Sequence, residues 1–159
     1  MDFKERLQKA TERGQHARDE KARAEAAKAM SEEECRRVHS GYRLELTDHI
    51  ESCLKQLADQ FPGFSFSVVA DDKGWGAALS RDDLSLSGGR RDNLFSRLTI
   101  TVAPHNQYHV LSIEARGAIR NKESFTRSHY QLLKDVDLDH FRQLIEHWVL
   151  EYAEAYAGD

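Results

Sequence analysis

A charged, helix-forming stretch fills roughly the first 60 of the 159 residues, and every strand signal comes after it. From Met30 the apolar positions run Met30, Val38, Tyr42, Leu46, Ile50, Leu54, Leu57 and Phe61, close to the helical repeat. A helix of about 30 residues rises about 45 Å, longer than one small sheet layer needs as cover. That length points toward assembly and names no chemistry.

The stretch has two unequal parts. Residues 2–29 are rich in Ala, Glu, Lys, Arg and Gln, all good helix formers. Phe3, Leu7, Ala10, Gly14 and Ala17 recur at spacings of four and three, a brief heptad seam that fades by Lys21. Two readings stay open there, a pairing seam or a solvated, fraying arm. Ser31-Glu32-Glu33-Glu34 matches a capping box, so a helix either restarts at Ser31 or runs through it. Gly41 costs about 1 kcal/mol relative to alanine without ending a helix. Phe61-Pro62-Gly63 does end it, because proline restricts the preceding residue and cannot extend the ladder.

Beyond Pro62 the period changes from helix to strand. Phe64-Ser65-Phe66-Ser67-Val68 alternates, Asp71-Asp72-Lys73-Gly74 reads as a turn, and Trp75 to Leu86 as a second strand. Ser87 to Asn93, with two glycines and two arginines, reads as a loop. Leu98, Ile100 and Val102 mark one face of a third strand, and Leu111, Ile113 and Ala115 one face of a fourth. Arg120 to Glu123 is a connection and Ser124 to Leu132 a last strand. Asp137 caps a final helix with an apolar stripe of Leu138, Phe141, Ile145, Trp148, Tyr152 and Ala155.

Strands joined by short turns pair antiparallel. The expected fold is therefore α+β: a long N-terminal helix, an antiparallel sheet of four to five strands, and an amphipathic C-terminal helix on one sheet face. The expected organisation is a charged helical arm over 1–30 and one domain over 31–159, with helix 31–61, sheet 64–133 and helix 137–157.

Composition narrows the function classes. A charged fraction of 31% beside 40% hydrophobic residues suits a folded chain with much solvated helix. No run of 18 apolar residues exists and the first residues hold no apolar signal core, so cytoplasmic residence is the expectation. Cys35 and Cys53 lie 18 residues apart, about 27 Å along one helix, too far to bridge within the chain. The net charge of −4 is uneven: residues 81–127 carry eight Lys/Arg against five Asp/Glu, and residues 128–159 two against seven.

Candidate chemistry is sparse. Eight histidines carry no H-E-x-x-H and no zinc spacing, and His140 and His147 stand about 10 Å apart on a helix. No metal or cofactor is expected. Neither a G-x-S-x-G elbow nor a cysteine signature appears, and no catalytic residue is assigned. The adjacent pairs Asp71-Asp72 and Asp82-Asp83 point to opposite strand faces and do not converge.

The outward sheet face, with Thr99, Thr101, Ser112, Glu114 and Arg116, is a candidate binding surface to which Arg127 and His129 could add. Arg116, Arg127 and His129 are therefore the candidate ligand-binding residues. Arg90, Arg91, Arg120 and Lys122 are the candidate nucleic-acid contacts, in a mildly basic region. The leading expectation is an interaction module that pairs with itself, or with another protein, through the 31–61 helix. A small-ligand domain and a nucleic-acid binder are the alternatives.

Overall fold

Helix α1 spans Phe3–Gln60, so Ser31 lies inside a helix and restarts nothing. The computed structural model describes residues 2–87 and 89–158, except for the side chains of 27–30, 85–87, 90 and 91. The chain divides into two compact units, an arm over residues 1–37 and a body over 38–159.

In the arm, the Glu5 amide donates to Asp2 Oδ1 at 2.9 Å, an N-cap that satisfies one of the free donors of the first turn. Every described side chain from Asp2 to Ala26 is exposed. The ion pairs are local and solvated: His16 with Glu20 at 3.2 Å and Arg37 with Glu34 at 3.5 Å. Such pairs add only a few tenths of a kcal/mol, about 0.2–0.5 each.

Among the described residues of the body, five strands form one antiparallel sheet in sequential order. They are β1 (Ser65–Asp71), β2 (Gly74–Ser87), β3 (Arg90–Val102), β4 (Val110–Ile119) and β5 (Lys122–Leu132). A short 3-10 turn, Leu133–Asp135, leads to helix α2, Leu138–Gly158. The α+β fold is as the sequence pattern implies.

Two local expectations change. The segment expected as a loop through Asn93 is instead the start of β3, with Asn93 opposite Leu84 and Asp92 opposite Ser85. A long hairpin pairs these backbones, and that ladder outweighs the turn-like composition. The second change is in α2, where Ala155 is exposed and Tyr156 and Val149 are buried. The stripe drifts because the helical repeat is 3.6, not 3.5.

The β4–β5 hairpin turns at Arg120 and Asn121, both with positive φ (47° and 69°), the sign pattern of a two-residue type I′ turn. Asn121 is tied to β3: its amide donates to Phe95 O at 2.8 Å, and its side chain both accepts from Phe95 N and donates to Asn93 O. The Arg120 amide donates to the buried Ser96 Oγ at 2.9 Å. These bonds hold a conformation that non-glycine residues otherwise avoid.

Both helices of the body cover one sheet face. Leu46, Ile50, Leu54 and Leu57 of α1 are buried, as are Phe141, Ile145, Trp148 and Tyr152 of α2. They meet Leu79, Leu98, Ile100, Leu111 and Ile113 from the sheet. Each such side chain contributes about 1.5–3 kcal/mol when buried. Tyr152 also donates its hydroxyl to Ala118 O at 2.9 Å, and burial raises its pKa. Gly117 permits that approach, since a Cβ there would lie 2.9 Å from the Phe125 ring and 3.0 Å from the Tyr152 ring.

Candidate functional site

Strand register settles where the candidate residues lie. Cross-strand partners share a face, and the buried Ala115 and Ile113 stand opposite Arg127 and His129. Both residues therefore sit on the helix-covered side. Arg127 pairs with Glu151 of α2 at 2.6 Å. The His129 ring packs on His140 and Phe141, each with centroids 5.1 Å away, and accepts from the Gln131 amide at 3.1 Å. The same Gln131 side chain accepts from the Asp137 amide at 2.7 Å, and Asp137 caps α2 through the His140 amide. Burial, then the neighbouring His140, lowers the His129 pKa. These groups dock α2 onto β5.

Arg116 points the other way. It stands opposite Thr99 and Thr126 and forms an ion pair with Glu114. The grouping of Arg116 with Arg127 and His129 is thus not one site, because β5 turns its Phe125, Arg127 and His129 side inward.

The exposed sheet face carries two adjoining hollows of about 450 and 250 Å³. Lys73, Arg97 and Arg116 line them, interleaved with Asp71, Glu114 and Glu123. Arg97 donates to Thr99 Oγ1 at 3.0 Å. Among the described residues lining these hollows cations and carboxylates balance, so the hollows hold no concentrated positive field of the kind a nucleic-acid backbone attracts. Of the candidate nucleic-acid contacts, the Arg90 and Arg91 side chains lie outside the described set. Arg120 stacks over the Tyr156 ring at 4.9 Å, and Lys122 is exposed at the hairpin end.

A third place, between the body's two helices, is a groove of about 450 Å³. Here Cys53 Sγ lies 3.6 Å from His49 Nε2, and the same nitrogen is 3.8 Å from Glu146 Oε1. Residue types suggest a Cys-His-Glu triad, which spacing along the chain alone could reveal only for His49 and Cys53, one turn apart. The geometry does not support one. A relay needs the thiol and the carboxylate on different ring nitrogens, and here they share one. The thiol is also pushed up to about 11 by burial and by Glu146, so it stays protonated and a poor nucleophile at neutral pH.

Histidines also gather where β3 leaves the sheet. His39, nearly fully buried, has its Nε2 3.1 Å from Ala103 O, and its ring meets His105 at 5.6 Å. His105 Nε2 is in turn 3.4 Å from His109 Nδ1. Burial, then His105, lowers the His39 pKa. His39 falls on the buried α1 face, one turn before Arg43, which covers Trp75 at 4.2 Å. Among the described residues, no group of three His, Cys, Asp or Glu is arranged to hold a metal ion.

The arm is the last candidate surface. The stripe that would pair α1 with a partner is already used within the body from Leu46 to Leu57. Phe3 and Leu7 remain 74% and 55% exposed. No helix among the described residues is long and apolar enough to cross a membrane. No family model, curated protein or solved structure matches this chain.

Proposed function

We propose that this protein is a non-enzymatic assembly module that pairs with a second copy of itself through its helical arm. The observation that carries the reading is a helix whose every described side chain from Asp2 to Ala26 is exposed, with Phe3 and Leu7 among them. Helices in water take most of their stability from packing an apolar face, and propensity alone leaves them marginal. Phe3, Leu7, Ala10, Gly14 and Ala17 supply such a face at heptad spacing. Beyond Phe3 and Leu7 its residues are small, so the pairing is of modest strength and depends on protein concentration.

Sedimentation velocity of the full chain across the micromolar range tests this. The expected result is a dimer that dissociates on dilution and that Leu7→Glu converts to a monomer with an unchanged body. A monomer at every concentration overturns the reading.

A further inference from the structure

The arm has a polarity that fixes how two copies would meet. Residues 2–18 carry five Lys/Arg (Lys4, Arg6, Lys9, Arg13, Arg18) against Asp2, Glu5 and Glu12, a net +2. Residues 19–34 carry three Lys/Arg against six Asp/Glu, a net −3, with Glu32, Glu33 and Glu34 at the far end. All of these residues but Asp2, the N-cap, lie on α1.

Building on the self-pairing reading, we infer that the two arms associate antiparallel, the basic first half of each against the acidic second half of the other. A parallel, in-register pair sets each glutamate cluster against its own copy and the Lys4–Lys9 cluster likewise. Like charges at helix-pair distance destabilise, whereas opposite charges across a seam set orientation.

The seam gives an independent argument. Continuing the four-three spacing from Phe3 through Ala17 places Lys21, Ala24, Lys28, Ser31 and Cys35 in the same stripe. A parallel pair stacks Lys21 on Lys21. In the antiparallel register that sets Phe3 against Cys35, each layer matches a large residue with a small one or two small ones: Leu7 with Ser31, Ala10 with Lys28, Gly14 with Ala24, Lys21 with Ala17. Each lysine stem then lies over an alanine and carries its ammonium past it to water. Small residues near the centre allow the two backbones to approach closely.

The two orientations give different disulfides. The protein to use is the full chain with Phe3→Cys and Cys53→Ser, leaving Cys35, oxidised as a dimer and mapped by peptide mass spectrometry. The inference expects links between position 3 of one copy and Cys35 of the other. Links joining Cys35 to Cys35 in a dimer overturn the orientation and leave the self-pairing reading standing. A second set of variants avoids the altered seam residue. Glu32→Lys, Glu33→Lys and Glu34→Lys together should weaken dimerisation about tenfold or more. Adding Lys4→Glu, Arg6→Glu and Lys9→Glu should restore it. A triple variant that pairs as well as the unaltered chain overturns the orientation. A chain that is monomeric before any substitution overturns the self-pairing reading itself.

Discussion

The two parts of α1 have opposite surroundings, although intrinsic helical propensity favours the arm, with its Ala, Glu, Lys and Arg. From Leu46 to Leu57 its apolar residues are buried, at 0–4% exposure. From Asp2 to Ala26 its described side chains are all exposed. The body's part of the helix is held by a core, so its stability belongs to the chain. The arm's part has a weak seam and a strong charge pattern, and on the proposed reading it takes its stability from a second copy. Helix length alone does not distinguish these cases; the size of the seam residues does.

Substitutions should separate the two regions sharply. Leu54→Ala removes a fully buried side chain from the body and should cost about 2–5 kcal/mol in thermal or denaturant unfolding. A loss below about 1 kcal/mol would mean that this part of α1 is not a core element. Gly117→Ala forces a methyl against Phe125 and Tyr152 and should cost about 1–3 kcal/mol. Arg127→Ala breaks a half-exposed ion pair with Glu151 and should cost no more than about 1 kcal/mol. Leu7→Ala, in the arm, should leave body unfolding within about 0.5 kcal/mol while weakening association.

Acid should act on the body through the buried His39 and the half-buried His129. His39 faces His105 and Arg43, and its folded pKa lies below the ordinary 6.5. Below pH 6.5 the unfolded chain takes a proton that the folded chain does not, so stability present above 6.5 is lost as pH falls through the folded value. His39→Gln keeps an Nε2 donor for Ala103 O and removes the titration. It should flatten the decline of melting temperature on acidification, with a remainder from His129, which shifts in the same direction. An unchanged slope would place the acid response elsewhere.

Much of this architecture was legible in the residues. The α1 stripe, the strand alternation from Leu98 to Val102 and the aromatic stripe of α2 each follow a single period, and periods survive without tertiary information. The β3 start was not legible, because glycine and arginine signal a loop unless the partner strand is known. Side assignment failed at β5 for a related reason: Phe125, Arg127 and His129 share one parity, but which face that parity meets depends on register across the bulge at Gly117/Ala118. Phe125, the one aromatic in that series, was the available hint. The His49, Cys53 and Glu146 cluster needed two helices to meet, and no spacing along the chain reports that.

Amide hydrogen exchange of the full chain at high and low protein concentration tests most directly whether the arm takes its order from a second copy. Protection over residues 3–26 should be present in the concentrated sample and lost on dilution, while the body's sheet and α2 stay protected in both. Arm protection that does not change with concentration, or that is missing even in the concentrated sample, would contradict it.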